Sequence, residues 1–233
     1  MEKKEDDTPE WFEPTLGLDV RSYIAAEDML GTHHLARYEW AKEVLAEFSP
    51  ARVLDIACGT GYGSFILASH LSDADVVGAD YDSRAIELAR QKYQRPNLSY
   101  TQGNIVTWER EGQPEGQSLG VYDAIVSFDT IEHLLHREIA LIRLTQHLSK
   151  DGILLLSTPC GHEHTRLNPG WEHHKIEYSH RDLRNLLKRF FQMVLVPEEA
   201  YFPHGDYWRS VINRDRLRYL NKSNPIVCRN PIA

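Results

Sequence analysis

The sequence predicts an α/β fold, a three-layer sandwich in which helices cover both faces of a mostly parallel, seven-stranded sheet. Apolar runs alternate with helical patterns along most of the 233 residues, and the clearest strand leads through a glycine-rich turn into an apolar helix. The predicted strands cover 52–57, 75–80, 98–102, 121–128, 152–157, 191–197 and 224–229. The predicted helices cover 34–48, 61–71, 82–93, 132–148 and 180–189.

The chain is predicted to divide into a short N-terminal segment and one domain. Residues 1–32 are expected to form a tail or a strap over the surface, because the first 20 residues are charged, contain proline and show no sustained period. Residues 33–233 are long enough to bury one sizeable core. The content of 42% hydrophobic and 26% charged residues is typical of a soluble globular protein.

Charge and cysteine content exclude several classes of protein. The net charge of −8 argues against a surface that binds polyanions such as nucleic acid, although a local basic pocket is compatible with it. Three scattered cysteines do not make a disulfide framework and predict a reduced, cytoplasmic setting. No apolar run approaches the ~20 residues of a membrane span, and the first residues lack the apolar stretch of a signal peptide. A homo-oligomer is compatible with this composition.

The most informative run is 53–63, which reads Val-Leu-Asp-Ile-Ala-Cys-Gly-Thr-Gly-Tyr-Gly. Gly59 and Gly61 let the backbone approach a ligand where a Cβ would collide. Asp55 precedes them, and the next predicted strand ends in Asp80, a position suited to accept hydrogen bonds from a ribose diol. The run therefore predicts a nucleoside-binding site at the carboxyl edge of the sheet.

A dinucleotide-binding domain is the main rival interpretation. Its G-x-G-x-x-G pattern requires a third glycine at position 64, where this chain has Ser64, with Gly63 one residue too early. A ligand without a diphosphate does not need that third glycine. Asp55 suits a ligand that carries a cationic amino group.

The run resembles the first motif of class I S-adenosylmethionine-dependent methyltransferases, and residues 122–134 and 148–159 resemble later motifs of that family. The resemblance implies a Rossmann-like fold and S-adenosyl-L-methionine as cofactor. It implies cofactor contacts from Arg37, Tyr38, Asp55, Gly59, Gly61, Asp80, Tyr81, Asn104, Ile105 and Phe128.

Particular roles follow from the same resemblance. Asn104 would meet the adenine amino group through its amide oxygen, and the backbone around Phe128 would border the methionine portion. Arg37 and Tyr38 would close over the methionine carboxylate. From the residues alone, Asn104 could instead be a polar turn residue and Arg37 a solvated helix residue.

Segments outside the cofactor motifs resemble bacterial methyltransferases associated with surface-glycan clusters. These segments are 33–38, 168–179 and 225–231. The resemblance implies a small-molecule or glycan acceptor, with a hydroxyl on a sugar, sugar nucleotide or glycan end as the methylated group. The histidine-rich stretch 159–178, which includes Trp171, and the aromatic residues of 201–208 are expected to form the acceptor wall.

A further signal lies in Asp129-x-x-Glu132-His133 together with the later His174. This spacing resembles the metal sites of ubiquinone-pathway O-methyltransferases and of small-RNA 3′-terminal 2′-O-methyltransferases. It implies a divalent metal (Mg, Mn, Fe or Zn) held by Asp129, Glu132, His133 and His174. Glu-His after such a strand is also widespread in enzymes without a metal, where His133 or His174 would be the catalytic base.

Other functions stay open at this point. An N-methyltransferase of an amino sugar or small metabolite fits the same cofactor motifs. An RNA 3′-terminal 2′-O-methyltransferase shares the metal spacing, but the negative charge and the lack of a basic stripe weigh against it. A non-catalytic S-adenosylmethionine-binding partner subunit is expected to have a damaged cofactor motif, and this motif is intact.

Overall fold

The computed structural model describes residues 11–110, 118–160, 162–170, 172–195 and 225–232. Its helices are α1 Val20–Ala25, α2 Met29–Phe48, α3 Tyr62–His70, α4 Ser83–Lys92, α5 Arg137–Gln146 and α6 His180–Leu187. Its strands are β1 Arg52–Ile56, β2 Asp75–Asp80, β3 Leu98–Asn104, β4 Glu109–Arg110, β5 Tyr122–Phe128, β6 Leu148–Ser157, β7 Arg166–Leu167, β8 Ile176–Glu177, β9 Phe191–Leu195 and β10 Ile226–Pro231. No helix in these ranges is long and apolar enough to span a membrane.

The main sheet has the order β4-β3-β2-β1-β5-β6-β10-β9. Strands β3, β2, β1, β5 and β6 are parallel, whereas β10 runs antiparallel to both its neighbours. The chain moves outward from β1 to β3 and then crosses to β5 on the other side of β1. The carboxyl ends of β1 and β5 therefore border the switch point, where ligands of such sheets bind.

Among the described residues the main sheet has eight strands, in place of the seven that the sequence predicts, and the additional one is β4. After Asn104 the chain reverses through a turn in which Trp108 has a φ of 64°. Glu109 and Arg110 then pair antiparallel with Asn104 and Gly103. A two-residue strand has no period of its own, so no sequence pattern indicates it. The mostly parallel α/β, Rossmann-like fold is confirmed.

Helices cover both faces of the sheet. Adjacent residues of β1 show this division, because Val53 is buried among side chains of α2 and α3 while Leu54 is buried among those of α5 and α6. Such two-sided burial is what a near-continuous apolar strand predicts.

The segment 11–28 packs on the domain. Tyr23 of α1 is fully buried, and its hydroxyl donates to the Gly17 carbonyl and accepts from the Leu16 amide. The ring of Phe12 stacks on the imidazole of His34, with the ring centroids 4.6 Å apart. Helix α2 begins at Met29, capped by Asp28, and so runs through the predicted boundary between residues 32 and 33. The division of the chain at that point stays a prediction.

The helix predicted over 132–148 is shorter in the structure. Residues 130–134 form turns in which the His133 amide donates to the Thr130 carbonyl and the Leu134 amide to the Ile131 carbonyl. Helix α5 begins only at Arg137, and Leu148 already belongs to β6. Glu132 and His133 therefore lie on a tight turn directly after β5.

Candidate active site

The glycine-rich turn lies between β1 and α3 at the switch point. Gly59 and Gly61 have φ values of 54° and 85°, which favour glycine, and Ala57 has a φ of 64°. The carboxylate of Asp80, at the end of β2, accepts from the Gly59 amide at 2.8 Å and from the Asp82 amide at 2.9 Å. Asp80 thus links the end of β2 to the turn and lies where the sequence places a ribose-binding carboxylate.

Two glycines of the run are required by packing within the protein. A Cβ on Gly61 would lie 2.6 Å from the Ala89 Cβ, and a Cβ on Gly63 would lie 2.0 Å from the Tyr38 ring. A Cβ on Gly59 would meet only the Trp11 Cβ, at 3.3 Å. Gly59 is therefore the least crowded of the three glycines, with the N-terminal segment as its neighbour.

Asp55 is a fully buried carboxyl at the end of β1. It accepts hydrogen bonds from the Ser64 hydroxyl at 2.6 Å and from the Tyr38 hydroxyl at 3.2 Å. Burial raises the pKa of Asp55 to about 7, although both hydroxyls oppose this rise. The Tyr38 hydroxyl is therefore engaged with Asp55, whereas the sequence placed it over the methionine carboxylate.

Arg37 is buried and forms an ion pair with Asp129. It also donates to the Ser157 hydroxyl at 3.1 Å and to His34 Nδ1 at 3.2 Å. Burial and the neighbouring Arg37 lower the pKa of His34 to about 3, which leaves its imidazole neutral. Burial alone would raise the pKa of Asp129, but Arg37 holds it below its ordinary value. Because Arg37 is only 5% exposed, it is not a solvated helix residue.

The remaining predicted cofactor residues, Asn104, Tyr81, Ile105 and Phe128, differ in their contacts and in their exposure. The Asn104 amide oxygen accepts from the Val106 amide at 2.8 Å and from the Thr107 amide at 3.3 Å, as a polar turn residue does, and its contact with adenine stays a prediction. Tyr81 is 64% exposed, whereas Ile105 and Phe128 are buried. Phe128 packs against Tyr38 with ring centroids 5.1 Å apart.

Glu132, His133 and His174 form one cluster, in which each residue offers one possible ligand atom and these atoms lie within 4.8 Å of one another. The rings of His133 and His174 are 5.0 Å apart in an edge-on arrangement. Glu132 is fully buried, and its Oε2 accepts from the Thr158 hydroxyl at 2.8 Å. Burial, reinforced by Asp129, raises the pKa of Glu132 well above its ordinary value. Such a set could bind a divalent cation or accept a proton.

Asp129 does not belong to this cluster, which corrects the four-residue metal set predicted from the spacing. Its carboxylate pairs with Arg37 and accepts from the Ser157 hydroxyl at 3.0 Å. The physical reason is the buried guanidinium, which requires a counterion where water is excluded. The three remaining residues fit a divalent cation, because Glu132 Oε1 is buried without a hydrogen-bond partner in the described structure.

The segment before β8 is held against the cluster. The Lys175 amide donates to the Glu132 carbonyl at 2.7 Å. Glu177 bonds two histidines at once, since its Oε1 lies 2.8 Å from His174 Nδ1 and its Oε2 lies 2.7 Å from His162 Nε2. The sequence did not single out Glu177, although its spacing of three residues from His174 was a usable signal. Trp171 and the aromatic residues of 201–208 lie outside the described residues.

Comparison with known proteins agrees with this architecture. Residues 32–192 match the family described as "Methyltransferase domain". The malonyl-[acyl-carrier protein] O-methyltransferase of Bacillus cereus is 30% identical over 64% of this chain and 53% of its own. The trans-aconitate 2-methyltransferase of Deinococcus radiodurans is 34% identical over 49% of this chain and 40% of its own. The chain thus spans about half the length or less of these curated relatives.

Solved structures share the fold at low sequence identity. The plantazolicin methyltransferase BpumL in complex with SAH is 15% identical, with a TM-score of 0.59 over 91% of this chain and 89% of that one. The N-methyltransferase NodS of Bradyrhizobium japonicum in complex with S-adenosyl-L-homocysteine is 14% identical, with a TM-score of 0.54 over 85% and 86% of the two chains. With a family match that covers more than half of its residues, the chain belongs to the methyltransferase-domain family.

Proposed function

We propose that this protein transfers the methyl group of S-adenosyl-L-methionine to a hydroxyl of a sugar, sugar nucleotide or glycan end. The observation that carries the proposal is the Glu132–His133–His174 cluster, which lies directly after β5 at the sheet edge that also carries the glycine-rich turn. A methyltransferase that acts on a hydroxyl must position its acceptor beside the sulfonium and remove one proton. The two regions together provide for both tasks.

The cofactor is proposed to bind over the glycine-rich turn. Because Gly59 has no side chain, the adenosine of the cofactor can approach the backbone there. Asp80 accepts one backbone hydrogen bond on each carboxylate oxygen, and the remaining lone pairs of these oxygens accept from the ribose hydroxyls. Asp55 lies behind the turn and adds negative charge beneath a cationic ligand when it is ionised. The S-adenosyl-L-homocysteine in the structures of BpumL and NodS supports this choice of cofactor.

The proposed chemistry is an in-line displacement at the methyl carbon. The acceptor oxygen forms the new bond to carbon, the carbon–sulfur bond breaks with its electrons left on sulfur, and one proton leaves the acceptor. His133 or His174 accepts that proton, and S-adenosyl-L-homocysteine is the second product. If Glu132, His133 and His174 hold a divalent cation, the cation supplies Lewis acidity that lowers the pKa of the acceptor hydroxyl.

A hydroxyl fits this site better than a carboxylate does. The malonyl and aconitate groups named for the two relatives are carboxylates, which are already anionic and need no base. Here the buried cation nearest the turn after β5, Arg37, is already paired with Asp129. A carboxylate acceptor would therefore compete with Asp129 for that counterion, whereas a neutral hydroxyl gains a base from His133 or His174.

The test compares acceptor classes directly. The protein is incubated with S-adenosyl-L-methionine and a panel of free sugars, sugar nucleotides, amino sugars, malonyl thioester or trans-aconitate, and S-adenosyl-L-homocysteine formation is measured with and without EDTA. We expect turnover with a hydroxyl acceptor and its loss in Glu132→Gln. Glu163→Gln, an exposed residue between β6 and β7, is the matched control. Turnover with a carboxylate alone, or methylation of the amine alone, would contradict the proposed acceptor.

A further inference from the structure

Glu177 connects a surface histidine to the buried cluster. One carboxylate oxygen bonds His174 Nδ1 at 2.8 Å and the other bonds His162 Nε2 at 2.7 Å. Exposure falls inward along this line, from 30% for the His162 side chain to 17% for Glu177 and 10% for His174. The carboxylate therefore contacts two imidazoles at once, which prevents it from rotating freely.

The backbone fixes the position of this carboxylate. Glu177 lies on β8, where it is paired with Arg166 of β7, and the adjacent Tyr178 forms a bridge with Cys160. Upstream, the Lys175 amide donates to the Glu132 carbonyl, which ties the segment to the cluster itself. Glu177 thus has a fixed place relative to Glu132 and not only to the two histidines.

The hydrogen bonds determine which nitrogen of His174 carries its proton. An ionised carboxylate accepts and does not donate, so His174 must present Nδ1–H to Glu177 and His162 must present Nε2–H. A neutral His174 then carries its lone pair on Nε2, the ring nitrogen that does not contact Glu177.

We propose that Glu177 is a positioning residue that fixes the tautomer and orientation of His174, with His162 as the anchor of its second oxygen. The inference rests on the proposed function, in which His174 acts on the acceptor through Nε2. A carboxylate behind an imidazole gives the other nitrogen a fixed direction and raises its basicity. Glu177 would have this effect whether His174 takes a proton or binds a cation.

The direct test is the protonation state of each ring nitrogen, read by long-range 1H–15N NMR of the full chain with 15N-labelled histidine. In the wild type we expect His174 protonated at Nδ1 and His162 at Nε2. In Glu177→Gln the amide has one acceptor oxygen and one donor nitrogen, so one of the two imidazoles must reverse its tautomer. Glu172→Gln, an exposed neighbour of His173, should leave both unchanged.

Activity and cofactor binding separate this inference from the proposed function. With a working acceptor, Glu177→Gln should lower kcat by about 10- to 100-fold with little change in the affinity for S-adenosyl-L-homocysteine, and Glu177→Asp should recover part of the loss. A wild-type His174 that is unprotonated at Nδ1, or tautomers unchanged in Glu177→Gln, would overturn the role of Glu177. The tautomers are measured without any acceptor, so a failure to find turnover counts against the proposed function alone.

Discussion

The glycine-rich turn and the histidine cluster lie at the same edge of the sheet but are built in different ways. The turn comes from one continuous run, with Asp80 added from the next strand. The cluster combines Glu132 and His133 with His174, which comes from a distant segment. A cofactor site of the first kind can be recognised from local spacing, whereas a site of the second kind depends on how distant segments pack.

The two regions also differ in how they satisfy a buried carboxyl. Asp55 accepts from two hydroxyls, those of Ser64 and Tyr38. Glu132 accepts from Thr158 through one oxygen, and its Oε1 has no hydrogen-bond partner in the described part of the chain. A buried oxygen without a partner is costly unless a ligand or proton satisfies it. Asp55 is thus satisfied within the turn, whereas Glu132 Oε1 is left to a proton or to a bound ligand.

The largest expected effect concerns the ion pair of Arg37 and Asp129. Asp129→Asn leaves the buried Arg37 without its counterion and should lower the free energy of unfolding by about 3–5 kcal/mol. Asp129→Asn combined with Arg37→Met should recover part of that loss, because no uncompensated charge remains. Denaturant unfolding of the two single variants and the double variant gives the coupling. Additive losses would show that the two side chains are not coupled energetically.

The second effect is a pH dependence that belongs to Asp55. Because its pKa is about 7 in the folded protein and 3.8 in the unfolded chain, the folded state holds the proton more tightly between these values. The stability from Asp55 is therefore fully present below about pH 4 and is lost as the pH rises through about 7, by about 2–4 kcal/mol in total.

The control for this effect is Asp55→Asn, which stays neutral in both states and keeps one oxygen that can accept from Ser64. The difference in unfolding free energy between wild type and variant should change across that pH window. Other titrating groups cancel in the difference. A constant difference from pH 4 to pH 8 would mean that the carboxyl of Asp55 is not held neutral in the folded state.

An effect of similar size tests the packing of the turn. Gly61→Ala places a Cβ 2.6 Å from the Ala89 Cβ at a φ of 85° and should destabilise the protein by about 2–4 kcal/mol. Gly17→Ala has a similar φ of 82° with nothing within 4 Å, and should cost only about 1 kcal/mol. If Gly61→Ala and Gly17→Ala lost the same stability in thermal unfolding, backbone strain alone would explain the loss and the contact with Ala89 would contribute nothing.

The smallest effect lies at Ala57, which has a φ of 64° without being a glycine. Ala57→Gly should relieve this strain and stabilise the protein by less than ~1 kcal/mol, since the gain is partly offset by the freedom of glycine in the unfolded chain. Ala68→Gly, in the middle of α3, should lower the melting temperature instead. A loss of stability in Ala57→Gly would contradict a strained turn.

The contrast between a turn built from one local run and a cluster built from distant segments also explains which features the sequence could predict. The strand, turn and helix around Gly59 follow from local period and glycine spacing, and the structure places them within one or two residues of the prediction. Asp129 was assigned wrongly because its partner, Arg37, is 92 positions away and no local pattern connects them. Strand β4 and the late start of α5 were missed because a short reversal and a tight turn have no period.

The most direct test of the central claim, that cofactor binding and acceptor chemistry reside in separate residues, is calorimetric titration of S-adenosyl-L-homocysteine. Asp80→Ala should weaken binding by roughly 1.5–3 kcal/mol, as for a lost pair of charge-assisted hydrogen bonds. Glu132→Gln should bind with nearly wild-type affinity. Unchanged affinity in Asp80→Ala, or a comparable loss in Glu132→Gln, would contradict the account.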